Sequence, residues 1–167
     1  MNKITKRSEM PQDETFLFEL YATTRQEELE VWGWPMDMRK SFLEIQFRAS
    51  RGYDRAFPGA DFQIILVDGA NAGRMVIDRT QKDLLVVDLA LLPQYRNAGI
   101  GTALVQEVCS EAATFQKTVR LQVSKGNRAR RWYERLGFIP TFETEIHVHM
   151  EWRAPVPTLP LSSGGIP

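Results

Sequence analysis

The chain has 167 residues, 43% of them hydrophobic and 25% charged, and its 21 basic and 21 acidic side chains cancel to a formal net charge of zero. This size and balance point to one soluble globular domain able to bury a core, and they argue against general nucleic-acid binding, which needs a basic excess. The lone cysteine, Cys109, excludes an intramolecular disulfide, Cys/His metal spacing is absent, and no apolar run approaches the ~18 residues of a membrane span.

In chain order, MNKITKRSEM is basic but lacks the apolar core of a signal peptide, so the expected location is cytoplasmic. Residues 3–8 read as a short strand. Pro11-Gln12-Asp13-Glu14 starts a helix, with acidic residues in its first turn. Leu17, Leu20, Tyr21 and Thr24 recur at helical spacing, and Trp32-Gly33-Trp34-Pro35 ends the pattern. A second helix over 36–51 offers Phe42, Ile45 and Ala49 as its apolar face. Residues 62–67 and 74–79 read as strands around the hairpin-type loop 68–73. Residues 84–91 form an apolar central strand, and 118–123 the next. A helix over 127–136 stops at Gly137, and two last strands lie near 138–143 and 145–152. The order implies an α/β (α+β) mixed sheet with helices on both faces, within one domain over residues 1–153. From Ala154 the composition turns to Pro, Ser and Gly, so 154–167 is expected to be a flexible tail.

Between the strand ending at Leu91 and the helical pattern that includes Leu104, Val105, Val108 and Ala112 lies the loop Arg96-Asn97-Ala98-Gly99-Ile100-Gly101. Strand, tight loop and helix N-terminus make an anion site, because free backbone N–H groups and the helix dipole point into the loop. Gly99 and Gly101 lack a Cβ, so a phosphate can approach the backbone. The loop differs from a dinucleotide fingerprint, whose first position is also glycine, and lacks the Gly-Lys-Ser/Thr ending of a nucleoside-triphosphate loop.

Arg-x-x-Gly-x-Gly after a strand ending Leu-x-Pro resembles the acetyl-coenzyme A signature of the GNAT N-acetyltransferase superfamily. A second block, Asn127 to Phe138, resembles that superfamily's other hallmark, a short helix ending in Tyr-x-x-x-Gly-Phe. Both blocks occur in the family's order. The match covers residues 60–152 well, and the first 55 residues only in expected helix content. The resemblance implies the GNAT acyl-CoA N-acyltransferase fold, with a mixed, mostly antiparallel sheet. It implies acetyl-CoA as acyl donor, an amine acceptor, direct attack in a ternary complex, and no metal, nucleic acid or membrane partner. It is compatible with a homodimer. In the family, Arg96, Asn97, Ala98, Gly99, Gly101 and Thr102 would hold the pyrophosphate. The backbone of Leu89, Ala90 and Leu91 would pair with the pantetheine arm like an added strand, and Asn127 would contact the pantetheine or phosphate region or cap its helix.

Acetyl transfer requires an amine that loses its proton, an N–H donor for the oxyanion and help for the departing thiolate. Tyr133 is the candidate acid: Ala129, Trp132, Tyr133 and Leu136 share one helical face and Arg128, Arg131 and Arg135 another, so the tyrosine points inward. Asp88 is the candidate for binding or deprotonating the amine. It interrupts an apolar strand, where a carboxylate needs a partner or a solvated cleft, and such a site raises its pKa toward that of a useful base. A structural ion pair to an arginine is the alternative reading. Some family members place a glutamate three residues earlier, where this chain has Leu85. Cys109 is expected to be buried, which argues against an acetyl-enzyme. Trp32, Trp34, Tyr53 and Phe57 are either acceptor-pocket aromatics or core. The basic run Lys125 to Arg131 reads as a solvated face or a phosphate contact, and His147 and His149 as surface or edge residues. A non-catalytic acyl-CoA-binding module is the rival to an enzyme, and an acetyl-transfer assay over an amine panel separates the two.

Overall fold

The computed structural model describes residues 1–156. From residue 157 onward, the expected flexible tail lies outside the described residues. The elements are β1 (Ile4–Ser8), α1 (Glu14–Trp32), α2 (Met36–Asp54), β2 (Asp61–Val67), β3 (Ala70–Arg79), β4 (Asp83–Leu91), α3 (Ile100–Thr114), β5 (Thr118–Ser124), α4 (Ala129–Arg135), β6 (Ile139–Glu143) and β7 (His147–Trp152). They build one seven-stranded sheet in the order β1-β2-β3-β4-β5-β7-β6. Every neighbouring pair is antiparallel except β4 with β5. No helix among the described residues is long and apolar enough to cross a membrane.

Strand alternation sends side chains to two cores. On β2, Ile65 and Val67 enter a large core with Ile100, Leu104, Val105 and Val108 of α3 and Tyr133 of α4. Ile64 turns the other way and packs with Leu17 of α1 and Phe47 of α2. The helices therefore cover both faces of the sheet.

The α1 face expected from Leu17 and Leu20 is the buried one. The expected α2 face is only partly so: Phe42 is half-buried against Trp32 and Trp34, whereas Ile45 and Ala49 are exposed, and the residues turned toward the sheet are Phe47, Ser50, Arg51 and Asp54. The reason is electrostatic: α2 turns Arg51 and Asp54 inward to join a set of ion pairs with β3, described below. The histidine expectation is half met. β7 runs between β5 and β6, so β6 is the sheet edge, and His149 stacks on the exposed Phe142 ring of that edge at 3.9 Å.

Two irregularities shape the middle of the sheet. First, β4 pairs with β5 only over Asp83–Leu85 against Thr118–Arg120, while β5 continues along β7 to Ser124. Beyond Leu85 the two parallel strands part, and among the described residues the β5-facing edge of residues 86–91 has no strand partner. Second, β4 carries a bulge against β3: Val76 pairs Asp88 and Ile77 pairs Val86, which leaves Val87 as an extra residue. Leu84 and Val86 point into the α3 core. With strict alternation Asp88 would point there too. The extra residue inverts the phase, so Leu89 and Leu91 pack on that core and Asp88 faces α1 and α2.

Gly73 holds β3 close to this region. A Cβ there would overlap the Ala90 carbonyl oxygen and lie 2.8 Å from Leu91 Cδ2. Gly73→Ala is expected to cost about 1–3 kcal/mol of stability, the usual range for overpacking a tight contact, read as a lower denaturation midpoint at unchanged m-value.

Candidate active site

At the C-terminal end of β4 the chain makes a single 3-10 turn, Pro93–Tyr95, and then the glycine loop. Asn97 (φ 57°) and Gly99 (φ 79°) take left-handed conformations, and Gly99 caps α3. Among the described residues, no turn or loop bond is donated by the N–H groups of Asn97, Ala98, Gly99, Ile100, Gly101 or Thr102. Asn97, Ala98 and Gly99 are exposed. Successive unpaired amides at the start of a 15-residue helix form a cradle for an anion.

The two glycines do different work. A Cβ at Gly99 would meet nothing, so backbone conformation and access decide that position. A Cβ at Gly101 would press on the Trp132 ring at 3.3 Å. The Trp132 indole N–H donates to the Thr102 hydroxyl oxygen at 3.2 Å, which leaves the hydroxyl proton of Thr102 free to donate to a ligand. The inward helical face predicted for Trp132 carried no sign of this part. Arg96 does not reach into the cradle. Its Nε donates to the Leu91 carbonyl at 2.8 Å, and its Nη2 donates to Thr23 Oγ1 of α1 at 3.2 Å. The arginine thus bridges the end of β4 and helix α1.

A cavity of about 360 Å³ opens beside β4 on the α1/α2 side. Val87, Asp88, Leu89, Ala90 and Asn127 form the wall nearest the parted strands, and Leu17, Leu20 and Phe47 form part of the opposite one. Asp88 keeps 40% of its side-chain surface accessible here. One carboxylate oxygen accepts a bond from Arg74 Nη1 at 3.0 Å. The ion pair to an arginine is therefore present, and the carboxylate also faces a cleft. Desolvation by the surrounding walls pushes the Asp88 carboxyl above the usual carboxylate range. The Arg74 guanidinium opposes this shift, and the nearby Asp54 reinforces it.

Arg74 is the centre of a larger set that the sequence reading missed. Its side chain is 7% exposed. Nε donates to Glu9 at 3.1 Å and Nη2 to Asp54 at 2.7 Å, and the guanidinium lies over the Phe62 ring at 5.6 Å. Arg51 of α2 binds the same Glu9 at 2.7 Å and the same Asp54 at 2.9 Å, and reaches Glu14 at 3.3 Å. The available signal was an arginine set in the apolar stretch Ala72 to Ile77.

Tyr133 is buried in the α3 core, between Trp132 and Phe138. It does not line the cavity beside Asp88. No buried side-chain polar atom lacks a partner among the described residues, and the hydroxyl makes no hydrogen bond there, so its oxygen reaches open space. Burial, with the Asp88 carboxylate adding to it, pushes the Tyr133 phenol up to about 12. The Asp88 charge thus reaches Tyr133 from the other side of β4. The Asn127 side-chain oxygen accepts the Ala129 N–H at 2.9 Å at the start of α4, as the capping reading expects, and the residue lines the cavity.

The aromatic candidates divide. Tyr53 lines the cavity and packs on Phe57 at 5.3 Å. Trp32 and Trp34 cluster with Phe42 at the α1–α2 turn and do not line it. In the basic run, Lys125 and Arg130 pair with Glu143. Cys109 is buried, and desolvation pushes its thiol up to about 11, where almost none of it is thiolate at neutral pH. Because both Asp54 and burial act on Asp88 in the same direction, Asp54→Asn is expected to move the Asp88 carboxyl pKa downward. Carboxyl carbon NMR against pH, with Asp88→Asn for assignment, measures it.

A model of the acetyltransferase (GNAT) domain matches residues 58–140. No curated protein matches the sequence. Among solved structures, PaiA N-acetyltransferase from Thermoplasma acidophilum in complex with coenzyme A superposes with a TM-score of 0.67 at 18% identity, covering 91% of this chain and 99% of that one. An acetyltransferase from Thermus thermophilus gives 0.68 at 12% identity, covering 92% and 100%. Ard1 from Thermoplasma volcanium gives 0.60 at 20% identity, covering 92% and 99%. With the parted β4 and β5, the amide cradle and the matched domain model all falling on the same stretch of sequence, the chain belongs to the GNAT N-acetyltransferase superfamily.

Proposed function

We propose that the protein transfers an acetyl group from acetyl-CoA to a primary amine by direct attack in a ternary complex. The observation that carries this reading is a junction. The unpaired β4 edge runs from the accessible carboxylate of Asp88 to the amide cradle at residues 97–102. The pyrophosphate is read onto that cradle, with Thr102 donating. The pantetheine arm is read along Leu89, Ala90 and Leu91, whose edge-facing N–H and C=O groups supply strand-like bonds. One such N–H faces the thioester oxygen as charge develops.

The amine arrives as an ammonium with a pKa near ~10.4. Asp88 holds it and takes its proton, directly or through water. The raised pKa of the carboxyl and the desolvation of the ammonium in the cavity narrow the gap between the two. The nitrogen lone pair then attacks the carbonyl carbon, the C–S bond breaks, and the coenzyme leaves as a thiolate. A phenol at about 12 facing a thiol near ~8.5 makes full proton transfer uphill by ~5 kcal/mol. Tyr133 is therefore read as a hydrogen-bond donor that stays protonated and stabilises the sulfur as charge grows on it. Cys109 takes no part, since its buried thiol is held at about 11.

Leu85, where some members of the family carry a glutamate, favours one second reading, an acyl-CoA-binding module without turnover. Thiol release from acetyl-CoA over an amine panel decides between them, and sustained release above buffer hydrolysis is the expected result. Three outcomes follow for variants. Ala98→Glu sets a carboxylate on the cradle without strain and is expected to weaken coenzyme A binding more than tenfold by calorimetry, at unchanged Tm. Tyr133→Phe is expected to lower kcat by ~10²-fold or less while leaving acetyl-CoA affinity near wild type. In the wild type, kcat/KM is expected to fall as pH drops through the raised Asp88 pKa, because only the ionised carboxylate serves, and Asp88→Asn is expected to remove that acidic limb.

A further inference from the structure

The cavity beside Asp88 is chemically two-sided. Its apolar wall comes from Leu17 and Leu20 of α1 and Phe47 of α2. Its polar wall holds two guanidiniums, and both are already engaged. Arg74 is paired with Glu9, Asp54 and Asp88, and Arg51 with Glu9, Glu14 and Asp54. Four carboxylates face two cations, so the cluster carries excess negative charge. Glu9 and Asp54 are each shared between both arginines and are largely enclosed, at 9% and 14% exposure. Asp88, whose one ionic partner among the described residues is Arg74, remains open to the cavity.

Such a site welcomes one cation at Asp88 and repels an anion. A substrate carboxylate entering beside the ammonium would meet Asp54 and Asp88 and no guanidinium with unclaimed charge. A second ammonium, spaced along a chain, would be pressed toward Leu17, Leu20 and Phe47, where the lining adds the hydroxyls of Tyr21, Thr24 and Ser50 but no further carboxylate to replace its water. The volume, about 360 Å³, is at the small end of ligand pockets, which run ~300–1,000 Å³.

We propose that the acceptor is a compact primary monoamine on an apolar body, such as an arylalkylamine or a short alkylamine, with no carboxylate or phosphate near its ammonium. This rests on the acetyl-transfer reading above. Asp88 binds the ammonium, the α1/α2 wall binds the body, and the saturated arginines reject amino acids.

The test compares kcat/KM for phenethylamine, phenylalanine, phenylalaninamide and spermidine, by thiol release with acetyl-CoA. Phenethylamine is expected to exceed phenylalanine by at least ~100-fold, the order by which a pocket without a partner for it rejects an added polar group. Phenylalaninamide, which lacks the carboxylate charge, is expected to recover at least tenfold of that loss. Thr24 lines the cavity outside the ionic cluster. Thr24→Trp is expected to lower kcat/KM for phenethylamine at least tenfold more than that for ethylamine, and an unchanged Tm with unchanged acetyl-CoA affinity by calorimetry shows that the variant is folded. Faster turnover of phenylalanine or spermidine than of phenethylamine overturns the acceptor class and leaves acetyl transfer standing. An unchanged rate for phenethylamine in Thr24→Trp overturns the assignment of this cavity to the amine. Acetyl-CoA binding by calorimetry with no thiol release from any amine overturns acetyl transfer itself, and this proposal with it.

Discussion

A buried guanidinium has to be neutralised where it sits, and much of this molecule is arranged around that demand at Arg74. The residue lies in the middle of the sheet with 7% of its side chain exposed. An unpaired charge at such depth costs several kcal/mol, and removing one partner of a buried pair typically costs ~3–5 kcal/mol. The three carboxylates that meet Arg74 come from three separate parts of the chain: Glu9 follows β1, Asp54 ends α2, and Asp88 stands in β4. Arg51 ties the first two together again from the helix side. The cluster therefore fixes how the first 55 residues dock on the sheet, and it explains why α2 turns a polar face inward. It also leaves a carboxylate at the floor of the cavity, so the interaction that docks the helices also sets the charge of the site.

The central strand supplies the second constraint. A regular β4 would carry Asp88 into the apolar α3 core, where no charged partner waits. The extra residue at Val87 turns it to the side where Arg74 lies. The same stretch of strand loses its β5 neighbour just before the bulge. An edge with unpaired amides in the middle of a sheet is costly unless something pairs with it.

The cradle and the cavity are also mechanically joined. Arg96, at the head of the loop, is bonded to the last β4 carbonyl and to a threonine of α1. On the far side, Trp132 of α4 rests on Gly101 and bonds Thr102. The start of α3 is thus held between α4 and the β4 end, which keeps the free amides pointing at one place.

The sequence by itself determined the elements and the loop. Apolar periodicity and the breakers at Gly33, Pro35 and Gly137 located most helices and strands close to their observed ends, because those signals are local and act within a few residues; β3 is the exception, starting at Ala70 inside the stretch read as a loop, because its pairing with β2 extends it. The glycine loop, the inward face carrying Tyr133 and the anomaly of a carboxylate at Asp88 were legible for the same reason. What stands opposite each of these was decided by the tertiary structure. The phase inversion at Val87 comes from the register against β3 and leaves no mark in the alternation of β4. The inward face of α2 was misread because its buried residues include Arg51 and Asp54, whose burial is tolerable only beside Glu9 and Arg74, both distant in the chain. The sequence shows that a charge is out of place, but its partners are set by the fold, because Coulombic pairing depends on distance in space and is indifferent to separation along the chain.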